Sequence, residues 1–271
     1  MSTNSSSNLK KLIDIGIALS KEKNIEILLE KILTEARIIS NSDGGTVYLM
    51  NDDDNKLNFK IMHTESLNIK FGGSASPVPD SIYPVRLYNQ DNTKNLNNVS
   101  AVCALESRTI NIEDAYKNKE FDFSGTQGFD NKHNYRSKSF LTVPLKNHKD
   151  KVVGVLQLLN AKKDNKIVSF SNELVELVEA LSSQAAVALT NQLLIDEQKT
   201  LFRSFIKLVA EALEHKDAVT GGHCNRVPVL TMMFAECINA DKTDNYKDFS
   251  FTEDEMDELF VAGWLHDFGK V

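Results

Sequence analysis

Between Ser171 and Thr220 the chain carries neither glycine nor proline, and apolar side chains recur through it every three or four residues. Leu174, Val178, Leu181, Ala185, Ala188 and Ile195 set a stripe that runs on through Leu201, Phe205, Leu208 and Ala212. That is the period of one helix face. About 40 residues of helix extend about 60 Å at roughly 1.5 Å per residue, more than the surface of one small domain offers. Either this helix bends or splits and packs locally, or residues 171–215 form a parallel coiled coil that joins two domains in a homodimer. Gln192 and Lys199 fall at seam positions, which implies marginal, register-sensitive packing.

Ahead of that helix the periods mix. Residues 1–8, Met-Ser-Thr-Asn-Ser-Ser-Ser-Asn, read as a disordered polar leader. Helical spacing follows over 9–20 and again over 24–40, with Asn24 as N-cap. Thr46–Met50 reads as a strand. Leu57–Met62 alternates as a half-buried strand, and the polar turn 51–56 makes the two a hairpin. Glycines and prolines break every pattern between 64 and 108. Thr109–Ile112 is a short strand, and 121–138 reads as an ordered loop containing Gly125 and Gly128. Ser139–Leu145 and Val152–Leu159 are the strongest strands. The near-continuous apolar content of the second marks it as central and buried. Within this region Ser124, Thr126, Asp130 and Thr142 place polar groups beside Phe121, Phe123, Phe129 and Tyr135. A few polar groups on an aromatic wall suit a small-molecule pocket; they suit equally a lid core whose polar groups cap turns.

Composition narrows the partners. A net charge of −7 and a pI of about 5.5 argue against nucleic-acid binding, which needs a basic surface. No apolar run reaches the roughly 20 residues that span a bilayer. The polar start lacks the apolar core of a signal peptide. The three cysteines, Cys103, Cys224 and Cys237, are widely spaced and read as free thiols of a cytoplasmic protein.

The order of elements up to residue 195 resembles the GAF domain. The resemblance is carried by Asn111-Ile112-Glu113-Asp114-Ala115-Tyr116, Phe121-Asp122-Phe123-Ser124-Gly125-Thr126, Gly128-Phe129-Asp130, Tyr135-Arg136-Ser137-Lys138-Ser139, Val143-Pro144-Leu145 and Gly154-Val155-Leu156-Gln157-Leu158-Leu159-Asn160. It implies a regulatory domain over 9–195: an antiparallel sheet flanked by helices that binds a cyclic nucleotide or another small molecule, or only dimerises. It places Ser124, Thr126, Phe129, Asp130 and Thr142 in the candidate pocket. The spaced Asn-Lys, Phe and Asp-Glu signature of cyclic-nucleotide-binding members is incomplete here. Asn160 is followed by Ala161, with Lys162 one place late, and Phe170 by Ser171-Asn172-Glu173.

The last 50 residues hold a different chemistry. Val227–Ala240 and Thr252–His266 read as helices, the second opened by a Thr252/Glu255 capping box. The blocks Thr220-Gly221-Gly222-His223-Cys224-Asn225-Arg226-Val227 and Trp264-Leu265-His266-Asp267-Phe268-Gly269-Lys270 resemble the opening of an HD-type metal-dependent phosphohydrolase domain, closest to the HD-GYP branch. An imidazole beside a carboxylate is a natural ligand pair for a divalent first-row metal. The resemblance implies an all-α partial HD domain over 201–271 with His223, His266 and Asp267 as ligands of an iron or manganese pair. It implies that Asp267 bridges the two ions, that Lys270 contacts the scissile phosphate, and that Arg226 is structural. The position four before His223 is Val219, where three-metal members carry Glu, which favours two metals. The remaining ligands of that family fall beyond Val271, so the chain as it stands is expected to be inactive. The complete protein would hydrolyse a cyclic dinucleotide, cyclic-di-GMP first, under control of the GAF domain. The alternatives are a non-catalytic binding and dimerisation module, and an HD hydrolase of another nucleotide or phosphoester.

Overall fold

Strand β7 (Val152–Lys163) runs through the middle of an eight-stranded antiparallel sheet, which is where its apolar sequence calls for it to be. The computed structural model describes residues 2–51, 53–214, 223–241, 243 and 246–268, with the backbone alone for 2–9, 213–214 and 223–225. Contacts divide the chain into two units, Met1–Leu193 and Leu194–Val271.

In the first unit β7 pairs on one side with β1 (Ser42–Asn51) and on the other with β6 (Phe140–Lys146). Beyond β1 lie β2 (Lys56–Thr64) and β3 (Ile69–Phe71); beyond β6 lies β5 (Ile110–Ile112). The short β4 (Val85–Arg86) pairs with β2, and β8 (Lys166–Val168) with β7. Side chains alternate across the sheet, so it has two apolar faces. Val47, Leu49, Leu141, Val143, Leu156 and Leu158 meet the helices α1 (Ser2–Ser20), α2 (Ile25–Ser40) and α5 (Asn172–Glu214). Tyr48, Phe140 and Val155 meet a lid formed by α3 (Val99–Glu106) and the segment holding Phe121 and Phe123. Asn24 caps α2, accepting from the N–H groups of Glu26 and Ile27.

Four expectations change. The leader does not stay disordered: α1 runs from Ser2, and the Ser/Thr/Asn run is of a kind accepted in the first turns of a helix that Leu12 and Leu19 anchor in the core. The 121–138 loop holds a helix, α4 (Ser124–His133). Each interior glycine costs about 1 kcal/mol there, offset by Asp122, which accepts from Ser124 N, and by Asn134, which ends the helix at φ 49°. The hairpin alternation breaks in β2, where Val47 pairs with Ile61 but Tyr48 with Phe59. The bulge at Lys60 sends Leu57 and Phe59 to the lid face and Ile61 to the helix face. Finally, Val178, Leu181, Ala185 and Ala188 of α5 are spent on the chain's own core, and Gln192 is buried, so the seam expected through them is an internal one.

The second unit is helical: the end of α5, α6 (His223–Ala240) and α7 (Glu253–Leu265). Ile206, Ala210 and Trp264 form its small core, with Phe260 and Leu265 against it. Lys199, the other expected seam residue, pairs with Asp257 at 3.1 Å, and Arg203 pairs with the same carboxylate. The capping box of Thr252 and Glu255 opens α7. Among the described residues no helix is long and apolar enough to cross a membrane.

Candidate functional site

Register builds a polar row into the apolar lid face. Thr46 on β1 and Thr142 on β6 both pair with Gln157 on β7, so the three share one row and one face, with Tyr48 two residues along from Thr46. Ser100, near the start of α3, closes over them. Asn98 fixes that start by accepting from the N–H groups of Ser100 and Ala101. Gln157 Nε2 donates to Ser100 Oγ and Thr142 Oγ1, both at 3.2 Å, and the Tyr48 hydroxyl donates to Gln157 Oε1 at 3.3 Å. All five side chains are buried. Burial pushes the Tyr48 phenol up to about 12, so it stays a neutral donor. Phe123 and Phe140 (5.3 Å between ring centres) and Tyr48 and Phe59 (4.5 Å) wall the row. The row carries no formal charge. Its chemistry is an amide and several hydroxyls on aromatic walls, which suits a planar ligand rich in donors and acceptors.

Of the pocket residues read from the sequence, Thr142 lies in this row. Asp130 is the buried residue of α4 and accepts from Ser137 N (2.7 Å), Ser137 Oγ (2.8 Å) and the Tyr116 hydroxyl (2.9 Å). Ser124 is exposed at the first turn of α4 and Thr126 half-exposed. Phe129 stacks on His133 with ring centres 4.2 Å apart. Thr46, Tyr48, Ser100 and Gln157 escaped the sequence reading. One signal was present: Gln157 is the lone polar side chain in the run from Val152 to Leu159.

A second network ties down the connection from α4 to β6. Asn160, fully buried at φ 55°, donates from Nδ2 to Tyr135 Oη (2.9 Å) and Arg136 O (2.8 Å). Its Oδ1 accepts from Lys138 N at 2.7 Å and, more weakly, from Ser139 N at 3.3 Å. Asp43 accepts from Tyr135, Ser66 and Lys162. Burial works to raise the Asp43 pKa, but those three hydrogen bonds outweigh it and hold the carboxylate below its ordinary range. Lys162 is thus engaged with β1 and not with the residues that follow Phe170.

At the end of the second unit His266 caps α7. Its Nδ1 sits 2.8 Å from Gly263 O, and its Nε2 lies 3.3 Å from Asp267 Oδ1. A ring held through Nδ1 presents Nε2 as the ligand nitrogen. By chemistry the pair fits a divalent metal, but among the described residues no group of three such donors comes together. His223 opens α6, with its side chain outside the described residues, and Lys270 lies outside them altogether.

The chain belongs to the GAF domain family, whose model matches residues 24–189. Over 180 residues, 65% of the chain, it is 23% identical to a cGMP-specific 3',5'-cyclic phosphodiesterase of Drosophila ananassae and to the enzyme of that name in Drosophila melanogaster. The matched part is only 14% and 15% of those two enzymes. Among solved structures, the GAF domain of an Acinetobacter phosphoenolpyruvate-protein phosphotransferase superposes with a TM-score of 0.50 at 16% identity, covering 70% of this chain and 98% of that domain. That likeness speaks for the fold alone.

Proposed function

We propose that the chain is a signalling sensor whose GAF unit takes a small planar ligand, a nucleobase-bearing molecule first, under the lid. The uncharged row of Tyr48, Ser100, Thr142 and Gln157 carries this reading. These groups now satisfy one another, so a ligand must trade its own donors and acceptors for theirs, and the lid must part to admit it. That exchange couples occupancy to lid position. The relatives named for cGMP make cyclic nucleotides the first class to test. Titration calorimetry with cGMP and cAMP is expected to show a single site, weakened about tenfold or more by Gln157→Leu, the loss of one or two buried hydrogen bonds. Failure of every nucleotide to bind, or binding indifferent to Gln157→Leu, would sink the reading.

Dimerisation through α5 belongs to the same proposal, on an exposed row that keeps Leu201 and Leu208 of the stripe spacing suggested and leaves out the members spent on the core. Val187, Leu194, Leu201 and Leu208 are exposed and recur at seven-residue intervals along the helix, the repeat of a coiled-coil seam. A second reading adds catalysis: an HD-type phosphohydrolase acting on cyclic-di-GMP or another phosphoester. The motif around His266 and Asp267 supports it. His266, Asp267 and His223 would hold iron or manganese, which would supply an activated water and a Lewis acid. In that reading, metal analysis of the protein finds iron or manganese that His266→Ala removes; equal metal in both would count against it.

A further inference from the structure

On the face opposite the lid, the bulge in β2 turns His63 toward α2 together with Ile61. His63 is only 3% exposed, yet its Nε2 has no hydrogen-bond partner among the described residues. The same holds for Nε of Arg37, on α2. Arg37 spends Nη2 on Asp43 O (3.1 Å) and on a Glu65 carboxylate oxygen (2.9 Å). Arg37 and His63 line one open hollow of about 490 Å³, with Thr34 of α2, Asn41 at its C-terminal cap, Glu65, and Lys70, the cross-strand partner of His63 on β3. Both residues line the hollow, while these two nitrogens lie sealed behind its surface. A buried nitrogen without a partner is costly, so a ligand that enters far enough to meet them satisfies both. An arginine Nε–H only donates, and a histidine Nε2 donates when it holds the proton. The complement is therefore an acceptor that carries negative charge.

We propose that this hollow binds a small oxyanion, the phosphate or carboxylate group of a metabolite, between Arg37 Nε and His63 Nε2, with Lys70 at the mouth. It is a second site, separate from the uncharged row under the lid and independent of what that row takes. Three carboxylates stand near it, and each has an answer. Glu30 accepts from Ser74 N and Oγ. Asp43 accepts from Ser66, Tyr135 and Lys162. Glu65 has a side chain 73% exposed, so its pairing with Arg37 is of the weak surface kind, and an entering anion displaces it.

The test titrates the full chain with inorganic phosphate in one arm and acetate in the other, following calorimetry and the His63 imidazole signals by NMR. Saturable binding is expected that shifts the His63 signals. His63→Gln should weaken it about tenfold, as a charge-assisted hydrogen bond lost. Lys70→Ala should weaken it, and Glu65→Ala tighten it, by about threefold each, the scale of an exposed charge. Lys70 and Glu65 are exposed, so those two variants fold whatever becomes of His63→Gln. Saturation by phosphate alone assigns a phosphate group, and saturation by acetate alone a carboxylate. Saturation by neither, or binding that Lys70→Ala and Glu65→Ala leave unchanged, overturns the proposal.

Discussion

Asn160→Ala is expected to cost the first unit about 3–5 kcal/mol, and the figure can be assembled from the structure. Asn160 makes four side-chain hydrogen bonds, to Tyr135 Oη, Arg136 O, Lys138 N and Ser139 N. The 3.3 Å contact to Ser139 is the weak half of a shared acceptor, and water can reach the half-exposed Arg136 and Lys138. Effectively two unmet groups remain; with Tyr135 half-exposed and the Ser139 contact long, each is worth about 1–2 kcal/mol, about 2–4 together. Asn160 also holds φ at 55°, where alanine is disfavoured by about 1 kcal/mol and asparagine and glycine are tolerated. Against a total stability of about 5–15 kcal/mol this is a large fraction. At about 2–4 °C per kcal/mol for a unit of this size, the melting temperature drops by roughly 6–20 °C. Urea and thermal melts followed by far-ultraviolet circular dichroism measure the loss. The single tryptophan, Trp264, sits in the second unit, so its fluorescence tells loss there from loss in the first. Asn160→Gly separates the two contributions, because it loses the same hydrogen bonds while keeping the backbone at ease, and should melt above Asn160→Ala. A loss below about 1 kcal/mol for the alanine variant would refute the claim that this network holds the α4–β6 connection.

Three further outcomes are expected. Burial, with Arg37 and Lys70 nearby, holds the His63 pKa below its ordinary 6.5, against the pull of Glu30. The unfolded chain then takes up a proton before the folded one does, so His63 makes stability fall as pH drops through 6.5 toward the depressed folded value. His63→Gln should flatten that part of the pH profile of the urea midpoint, and an unchanged slope would contradict it. A thiol reagent at neutral pH should label the exposed Cys237 and spare Cys103, which is buried with its pKa pushed up by that burial; peptide mapping that finds Cys103 labelled in folded protein would be decisive against. Leu201→Asp puts a charge in the exposed heptad row of α5 and should convert a dimer to monomer in light scattering, whereas an assembly state the same as wild type would remove that row from the interface.

Periodicity found the sheet because its strongest strands bury both faces, and Val152–Leu159 can sit nowhere but the centre. It found the caps at Asn24 and Thr252 because a cap is local chemistry, written within three residues. It failed where one local choice is settled by a distant neighbour. Leu57, Phe59 and Ile61 alternate cleanly, and only the pairing with β1 puts a bulge at Lys60 between them. That one residue moves Ile61 and His63 to the other face, which is why His63 lies buried at a hollow lined also by Arg37. The apolar stripe of α5 has a similar ambiguity. A helix buried against its own sheet and a helix buried against a second copy show the same spacing, and only the sheet tells them apart. Val178, Leu181 and Ala185 face it, while Val187, Leu194, Leu201 and Leu208 do not. Gln157 is the instructive case for function. A polar side chain in a central strand must be paired or lose stability, so its presence demands partners on the neighbouring strands or the lid. Thr142, Tyr48 and Ser100 are those partners, so the one polar residue of the central strand already points to the row under the lid.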